Sequence, residues 1–238
     1  MKKLLTILCL VLLVSYSYSQ ETLQETIQTI VSETLNVSED DLVEREGIFY
    51  KKFTVTPFTG NTVRFYKNGQ LEERTTYEGG IKNGLSESFD ENGEREHRGN
   101  YKNGKRHSLW EIYYKNGQLQ MRGKLKDGVP DGLMEMYYEN GQLREVVPYK
   151  DGVPDGSGES YYENGQLEVR GNVKNGKPHG LMERYYENGQ LQEKNLYKNG
   201  IRDGLFEMYY ENGQLLSTRT YKEGKIIVSE HYDKNNQK

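Results

Sequence analysis

Four histidines (His97, His107, His179 and His231) and the loop aspartates Asp127, Asp131, Asp151 and Asp155 are the residues of this chain best suited by type to hold a metal or move a proton. Their spacing argues against both. The chain has no His-x-x-x-His pair of the kind a zinc site uses, and its one Glu-x-x-His, Glu94 to His97, has no second histidine at ligand spacing. The aspartates lack the dense ligand spacing of a calcium loop. His107 and His179 occupy the position held elsewhere by Asp131, Asp155 and Asp203, so turn chemistry accounts for them. Glutamate recurs in every segment, and no one carboxylate pair stands out as general acid and base. There is no nucleophile elbow, no P-loop and no dinucleotide fingerprint. The recurring candidates are tyrosines instead: Tyr113, Tyr137, Tyr161, Tyr185 and Tyr209 stand 24 residues apart. Tyrosine offers rigid contact area with a polar tip, which suits a binding surface. The residues therefore predict a non-catalytic protein with no metal and no cofactor.

The elements that position these tyrosines follow from the same period. Gly69, Gly93, Gly117, Gly141, Gly165, Gly189 and Gly213 are 24 residues apart, each preceded by Asn, usually within Tyr-Tyr-Glu-Asn-Gly-Gln-Leu. A fixed period over seven copies marks a repeat array. Asn-Gly between strand-like runs signals a hairpin, and a type I′ turn needs φ > 0 at both central residues. With that turn at Asn140-Gly141, Tyr138 faces Leu143, Met136 faces Glu145 and Glu135 faces Val146. One face then carries Met134, Met136, Tyr138 and Leu143, the better buried set, and the other carries Glu135, Tyr137 and Arg144. The register further places Glu87 opposite Arg98, Glu111 opposite Arg122, Glu159 opposite Arg170 and Glu183 opposite Lys194. Such pairs contribute roughly 0.2–1 kcal/mol each. Residues 127–132, rich in Asp, Gly and Pro, are read as the second turn of the unit. The expected fold is all-β: an elongated single-layer antiparallel β-meander of 24-residue hairpin repeats, about 65–70 Å long and twisted, with a short N-terminal helix.

Some copies break the pattern. Ser108 replaces the loop glycine found at Gly84 and Gly132. Asp90 stands for the second Tyr and Arg95 for Leu, which weakens the apolar face there. Ser157, Gly158 and Ser160 replace large residues in the fourth repeat, where the sheet should be thin.

The ends differ from the array. Lys2 and Lys3, the apolar run 4–14 and Ser17-Tyr18-Ser19 form a secretory signal peptide over residues 1–19, with cleavage expected after Ser19. Cys9 lies inside that run, so the mature chain has no cysteine and no disulfide to form. Removing Lys2 and Lys3 from 32 basic residues, against 36 acidic ones, leaves a net charge of −6. The charges are mixed, which disfavours nucleic acid and general attraction to anionic lipid. Residues 20–41 are a helix or linker, with Leu23, Ile27, Ile30, Val31 and Leu35 at helical spacing over 21–37. The array spans 42–232, with 48–55 as a capping strand and 225–232 as a final edge strand. A charged tail, 233–238, follows.

Tyr-x-Asn-Gly, then Lys-Pro-His-Gly at 177–180, then Tyr-Tyr-Glu-Asn-Gly-Gln-Leu from Tyr185 resembles the MORN repeat. With Gly47-Ile48-Phe49-Tyr50 and Pro57-Phe58-Thr59-Gly60 as lead-in, it resembles more closely the bacterial variant known as the YwqK-type antitoxin component. The likeness covers roughly residues 42–225. It implies an elongated β-hairpin array used as a scaffold, a protein-binding surface or a membrane-proximal module.

The expected function is a protein-interaction scaffold, secreted or in the bacterial envelope, with a protein partner and no transmembrane span in the mature chain. Two alternatives remain: a glycan or cell-wall binding module, or an antitoxin or immunity protein of a toxin–antitoxin pair.

Overall fold

The computed structural model describes residues 36–233. The signal segment and nearly all of the helix expected at 21–37 lie outside these residues, as does most of the tail at 233–238. Val37, the last residue of that expected helix, is in a strand.

The strands are β1 (Val37–Ser38), β2 (Leu42–Arg45), β3 (Ile48–Lys51), β4 (Gly60–Phe65), β5 (Leu71–Glu78), β6 (Ile81–Phe89), β7 (Arg95–Lys102), β8 (Lys105–Tyr113), β9 (Leu119–Lys126), β10 (Val129–Tyr137), β11 (Leu143–Lys150), β12 (Val153–Pro154), β13 (Gly156–Tyr161), β14 (Leu167–Lys174), β15 (Lys177–Tyr185), β16 (Leu191–Lys198), β17 (Ile201–Tyr209), β18 (Leu215–Lys222) and β19 (Lys225–His231). From β4 onward successive strands pair antiparallel, save that β13 joins β11 past the short β12. β1, parallel beside β4, completes a 17-stranded sheet. No α-helix occurs among the described residues. The all-β meander of hairpin repeats, two strands to a unit, is as the sequence predicts.

The turns are the reverse of the expectation. At Asn140-Gly141, the Gly141 N–H donates to the Tyr138 carbonyl at 2.9 Å and the Tyr138 N–H to Gln142 at 2.8 Å. Gly141 has φ +84°, while Asn140 is not among the positive-φ residues. This is a type I turn closed by a glycine bulge rather than type I′. The bulge shifts the register by one, so Leu143 faces Tyr137 and not Tyr138. Met136–Glu145 and Glu135–Val146 pair as expected. The type I′ turn is the second one: Asp127 and Gly128 have φ 52° and 91°, and Lys126 faces Val129 directly. The turn is thus two residues long. Val129 and Pro130 already belong to β10, and the rest of the expected loop is a strand irregularity up to Met134.

Neighbouring repeats are stapled at both edges. Along the longer turns of the middle units, the second tyrosine donates its hydroxyl to a carbonyl 23 residues on: Tyr114 to Tyr137 at 2.8 Å, Tyr138 to Tyr161 at 2.7 Å, Tyr162 to Tyr185 at 2.8 Å and Tyr186 to Tyr209 at 2.9 Å. The turn asparagine does two things. Asn116 Oδ1 accepts the Gln118 N–H at 3.0 Å, and its Nδ2 donates to the Glu139 carbonyl at 2.8 Å. On the other edge, the glycine N–H of each type I′ turn reaches back to the previous repeat, as from Gly128 to Arg106 at 2.8 Å. Each such bond contributes about 0.5–1.5 kcal/mol, and their repetition holds a sheet that has little core.

The core that exists lies on one face. There the row Gly99, Trp110, Gly123, Met134 runs across neighbouring strands. Large side chains lie over the glycines: a Cβ on Gly99 would stand 2.0 Å from the Trp110 ring, and one on Gly123 2.0 Å from Met134 Sδ. Trp110 is 1% exposed. His97 stacks on its ring at 5.3 Å, and Arg106 covers it at 4.5 Å. In the fourth repeat Gly158 faces Gly171, which leaves a shallow apolar notch of about 140 Å³ beside Val147, Val169 and Met182. The thinning expected there is present.

The N-terminal end is closed by β2 and β3, which form their own two-stranded sheet. The strand expected at 48–55 is therefore shorter and leaves the main sheet: Phe53 sits at φ 64°, fully exposed. Backbone bonds from Phe49 to Gly80 and from Gly80 to Phe58 dock this hairpin. Leu42, Phe58 and Tyr77 form a small core with Val37 and Phe49.

Candidate functional site

The face opposite Trp110 carries the charged residues, and the pairing aligns them in one row across the sheet. From β5 to β10 the row reads Arg74, Glu87, Arg98, Glu111, Arg122, Glu135. It passes through Val146 and resumes as Glu159, Arg170, Glu183, Lys194, Glu207. All four cross-strand pairs read from the sequence stand in the register expected. The closest ion pairs, however, mostly form with the strand on the other side. Arg122 bonds Glu135 at 2.7 Å rather than Glu111, Arg170 bonds Glu183 at 2.7 Å rather than Glu159, and Lys194 lies 3.9 Å from Glu207. Each base stands between two acids, and the strand twist decides which one it meets. Glu87 is 3% exposed and gathers Arg74, Arg95 and Arg98 at 2.5, 3.4 and 3.5 Å. Arg95, read as a weakness, also covers the Phe89 ring at 5.6 Å.

The predicted tyrosines belong to this ladder. They are half-buried, not fully exposed, because each lies two residues beyond a ladder glutamate and turns its hydroxyl onto it. Tyr113 donates to Glu111 at 3.0 Å and Tyr185 to Glu183 at 3.1 Å, and Tyr161 bonds Glu159. Tyr137 accepts from Arg122 at 3.2 Å. The hydrogen bond to Glu159, with burial added, pushes the Tyr161 phenol up to about 12. Burial, then the neighbouring carboxylate, raises Tyr113, Tyr185 and Tyr209 as well. These phenols remain protonated donors at neutral pH.

A third row was missed from the sequence. Leu109, Leu133 and Leu205 lie two residues before the ladder glutamates and are 43%, 48% and 44% exposed. Leu181, Leu196 and Leu205 adjoin across β15, β16 and β17 and line an apolar hollow with Lys194 and Glu207. The period and the alternation both place these leucines beside the ladder glutamates, but alternation alone does not show that the face they share stays open. On this face four units present the same triple, Leu-x-Glu-x-Tyr, while Phe89 replaces the tyrosine after Glu87 and Ser157 the leucine before Glu159.

His179 and the loop aspartates Asp131 and Asp203 serve the short turns, whereas His107 Nδ1 is buried without a partner among the described residues. His179 Nδ1 accepts the Asn199 N–H at 3.4 Å, as Asp131 accepts from Asp151 at 3.5 Å and Asp203 from Glu223 at 3.4 Å. His97 is half-buried against Trp110 and bonds Ser88 at 2.6 Å, and burial lowers its pKa. Among the described residues no three His, Cys, Asp or Glu side chains gather as a metal site would need.

No curated protein matches the chain. A family model described as MORN repeat variant matches seven successive segments: 58–78, 82–103, 106–127, 130–151, 154–175, 178–199 and 202–223. These cover most of the described sheet, and each spans one hairpin about a long turn. The chain belongs to the MORN repeat variant family.

Proposed function

We propose that this protein is a non-catalytic scaffold, exported by its N-terminal segment to the envelope or the exterior, which binds a protein partner along its ladder face. One observation carries the reading: four units, at 109–113, 133–137, 181–185 and 205–209, repeat the same Leu-x-Glu-x-Tyr triple on a single open face. Reacting groups act as one unique constellation, whereas a repeated triple offers a repeated contact surface. Exposed leucines give the apolar anchors, and phenols and ion pairs fixed by their neighbours lose little entropy on binding. The likeness to the YwqK-type variant makes a toxin one specific partner to look for in the genomic neighbourhood.

Affinity recovery from envelope extract tests this, with the secreted chain beginning at Gln20 as bait. A protein recovered by the natural chain should fall about tenfold with Leu133→Glu and Leu205→Glu together, as loss of buried anchors brings. Recovery unchanged by these substitutions, or recovery of cell-wall polymer alone, would overturn the proposal.

A further inference from the structure

One junction lacks its tyrosine. At every other long turn from 66 to 210 the second tyrosine bridges to the next repeat: Tyr66 to Phe89 at 2.9 Å, the four bonds from Tyr114 to Tyr186 already described, and Tyr210 to Tyr232 at 3.5 Å. Position 90 of the same series is aspartate. Its carboxylate folds back on its own turn and accepts the N–H groups of Asn92 and Glu94, both at 2.9 Å. Asn92 Nδ2 is drawn to Asp90 at 3.3 Å, whereas Asn68, Asn116, Asn140, Asn164 and Asn188 reach the following repeat. Neither staple crosses to the turn that begins at Tyr114.

The missing phenol leaves a cleft of about 270 Å³, lined by Glu94, Arg95, Ile112, Tyr113, Tyr114 and Lys115. Its position is that of a staple ring. Tyr138, at the equivalent position, has Glu168, Arg144 and Glu163 for charged neighbours. The last two correspond, by the 24-residue period, to Glu96 and Lys115, which both line this cleft, and Glu168 to Gln120, which does not. The Tyr113 carbonyl is the counterpart of those of Tyr137, Tyr161, Tyr185 and Tyr209, which each accept a tyrosine hydroxyl. Arg95 adds a second observation: its Nε–H is buried and has no acceptor among the described residues.

We propose that this cleft is a seat for the tyrosine side chain of a protein partner. The ring enters beside Ile112 and the Arg95 stem, and the hydroxyl donates to the Tyr113 carbonyl, completing from outside the staple that the chain supplies to itself elsewhere. A partner tyrosine is favoured over a free phenol because the site is built to the reach of a phenol carried on backbone at the turn edge. The seat shares Tyr113 and Arg95 with the ladder but none of its exposed leucines, so Asp90→Tyr tests the seat alone and the Leu133 and Leu205 substitutions test the ladder alone.

Titration of the full secreted chain, followed by the amide resonances of Tyr113, Tyr114 and Lys115, tests it with three probes: N-acetyl-L-tyrosinamide, p-cresol and N-acetyl-L-phenylalaninamide. Saturable shifts are expected with the first two, at least tenfold weaker with the third, because the bare ring leaves the carbonyl unpaired. Asp90→Tyr should fill the seat, raise the melting temperature and abolish the response. Asp90→Ala should keep it, and Ile112→Ala should weaken it at least threefold. An equal response to the phenylalanine probe, or one that survives in Asp90→Tyr, would overturn the proposal. A response to p-cresol without one to the tyrosine probe would reassign the seat to a free phenol.

Discussion

Ser108 occupies a backbone position that six other repeats give to glycine, and its φ is 63°. The left-handed region costs a side-chain-bearing residue about 1–2 kcal/mol, and glycine gives back about 0.4–1 kcal/mol in chain freedom. Ser108→Gly should therefore stabilise the protein by about 0.5–1 kcal/mol, read as a higher urea midpoint. The ladder phenols make a second prediction. Tyr161 is raised to about 12 from 10, so between those values the unfolded chain loses its proton first. Stability is full below pH 10 and is lost as pH rises through 10 to 12. Spectrophotometric titration of Tyr161→Phe against the natural chain should show one high-pH phenol fewer, and the variant should melt less steeply with alkali. At this scale the sequence was easy to read for charge, since Glu111–Arg122 and its fellows depend only on alternation. Which base bonds which acid was not legible, because Arg122 stands between two glutamates and the twist chooses Glu135.

At the scale of hairpins, the Asn-Gly signal was right about the turn and wrong about its type. Asn-Gly suits type I′ and the glycine bulge alike, and the unit contains both kinds of turn. The choice is made by bonds outside the hairpin: the asparagine carries the staple to the next repeat, and the glycine alone takes the positive φ. A one-residue difference follows, and it moves Leu143 from Tyr138 to Tyr137. The alternation of Gly with Trp and Met on the core face was legible in principle, since Gly99 and Gly123 share the 24-residue period. It needed the strand pairing to show that they sit beneath Trp110 and Met134. Two alanine substitutions separate the roles of these glycines. Gly99→Ala drives a Cβ into the fixed Trp110 ring and should cost about 1–3 kcal/mol. Gly158→Ala meets only Val146 and Val147, at 3.3 and 3.5 Å, and should be near neutral. Urea unfolding of both variants checks the pair, and equal losses would mean that the core face is not packed as described.

Over the whole molecule, stability is distributed. Each repeat touches its neighbours through a ladder, two rows of turn staples and a thin core. The two ends are unlike. The β2–β3 hairpin covers the first repeat, while β19 ends the sheet with Ile226, Ile227 and Val228 exposed. The period alone gave the architecture of the middle, because copies of one unit can stack in few ways. It gave less at the ends, where the residues that close the sheet are not copies of anything. The ladder face is the longest feature that the array builds and no single repeat contains, and binding along it is the central claim. Photo-crosslinking in the living cell tests it most directly, with a benzoylphenylalanine placed singly at Leu109, Leu133 and Leu205 on the ladder face and at Arg184 on the other. The account predicts crosslinks to one and the same protein from all three ladder positions and none from Arg184. Crosslinks from Arg184 alone, or from no position on the ladder, would contradict it.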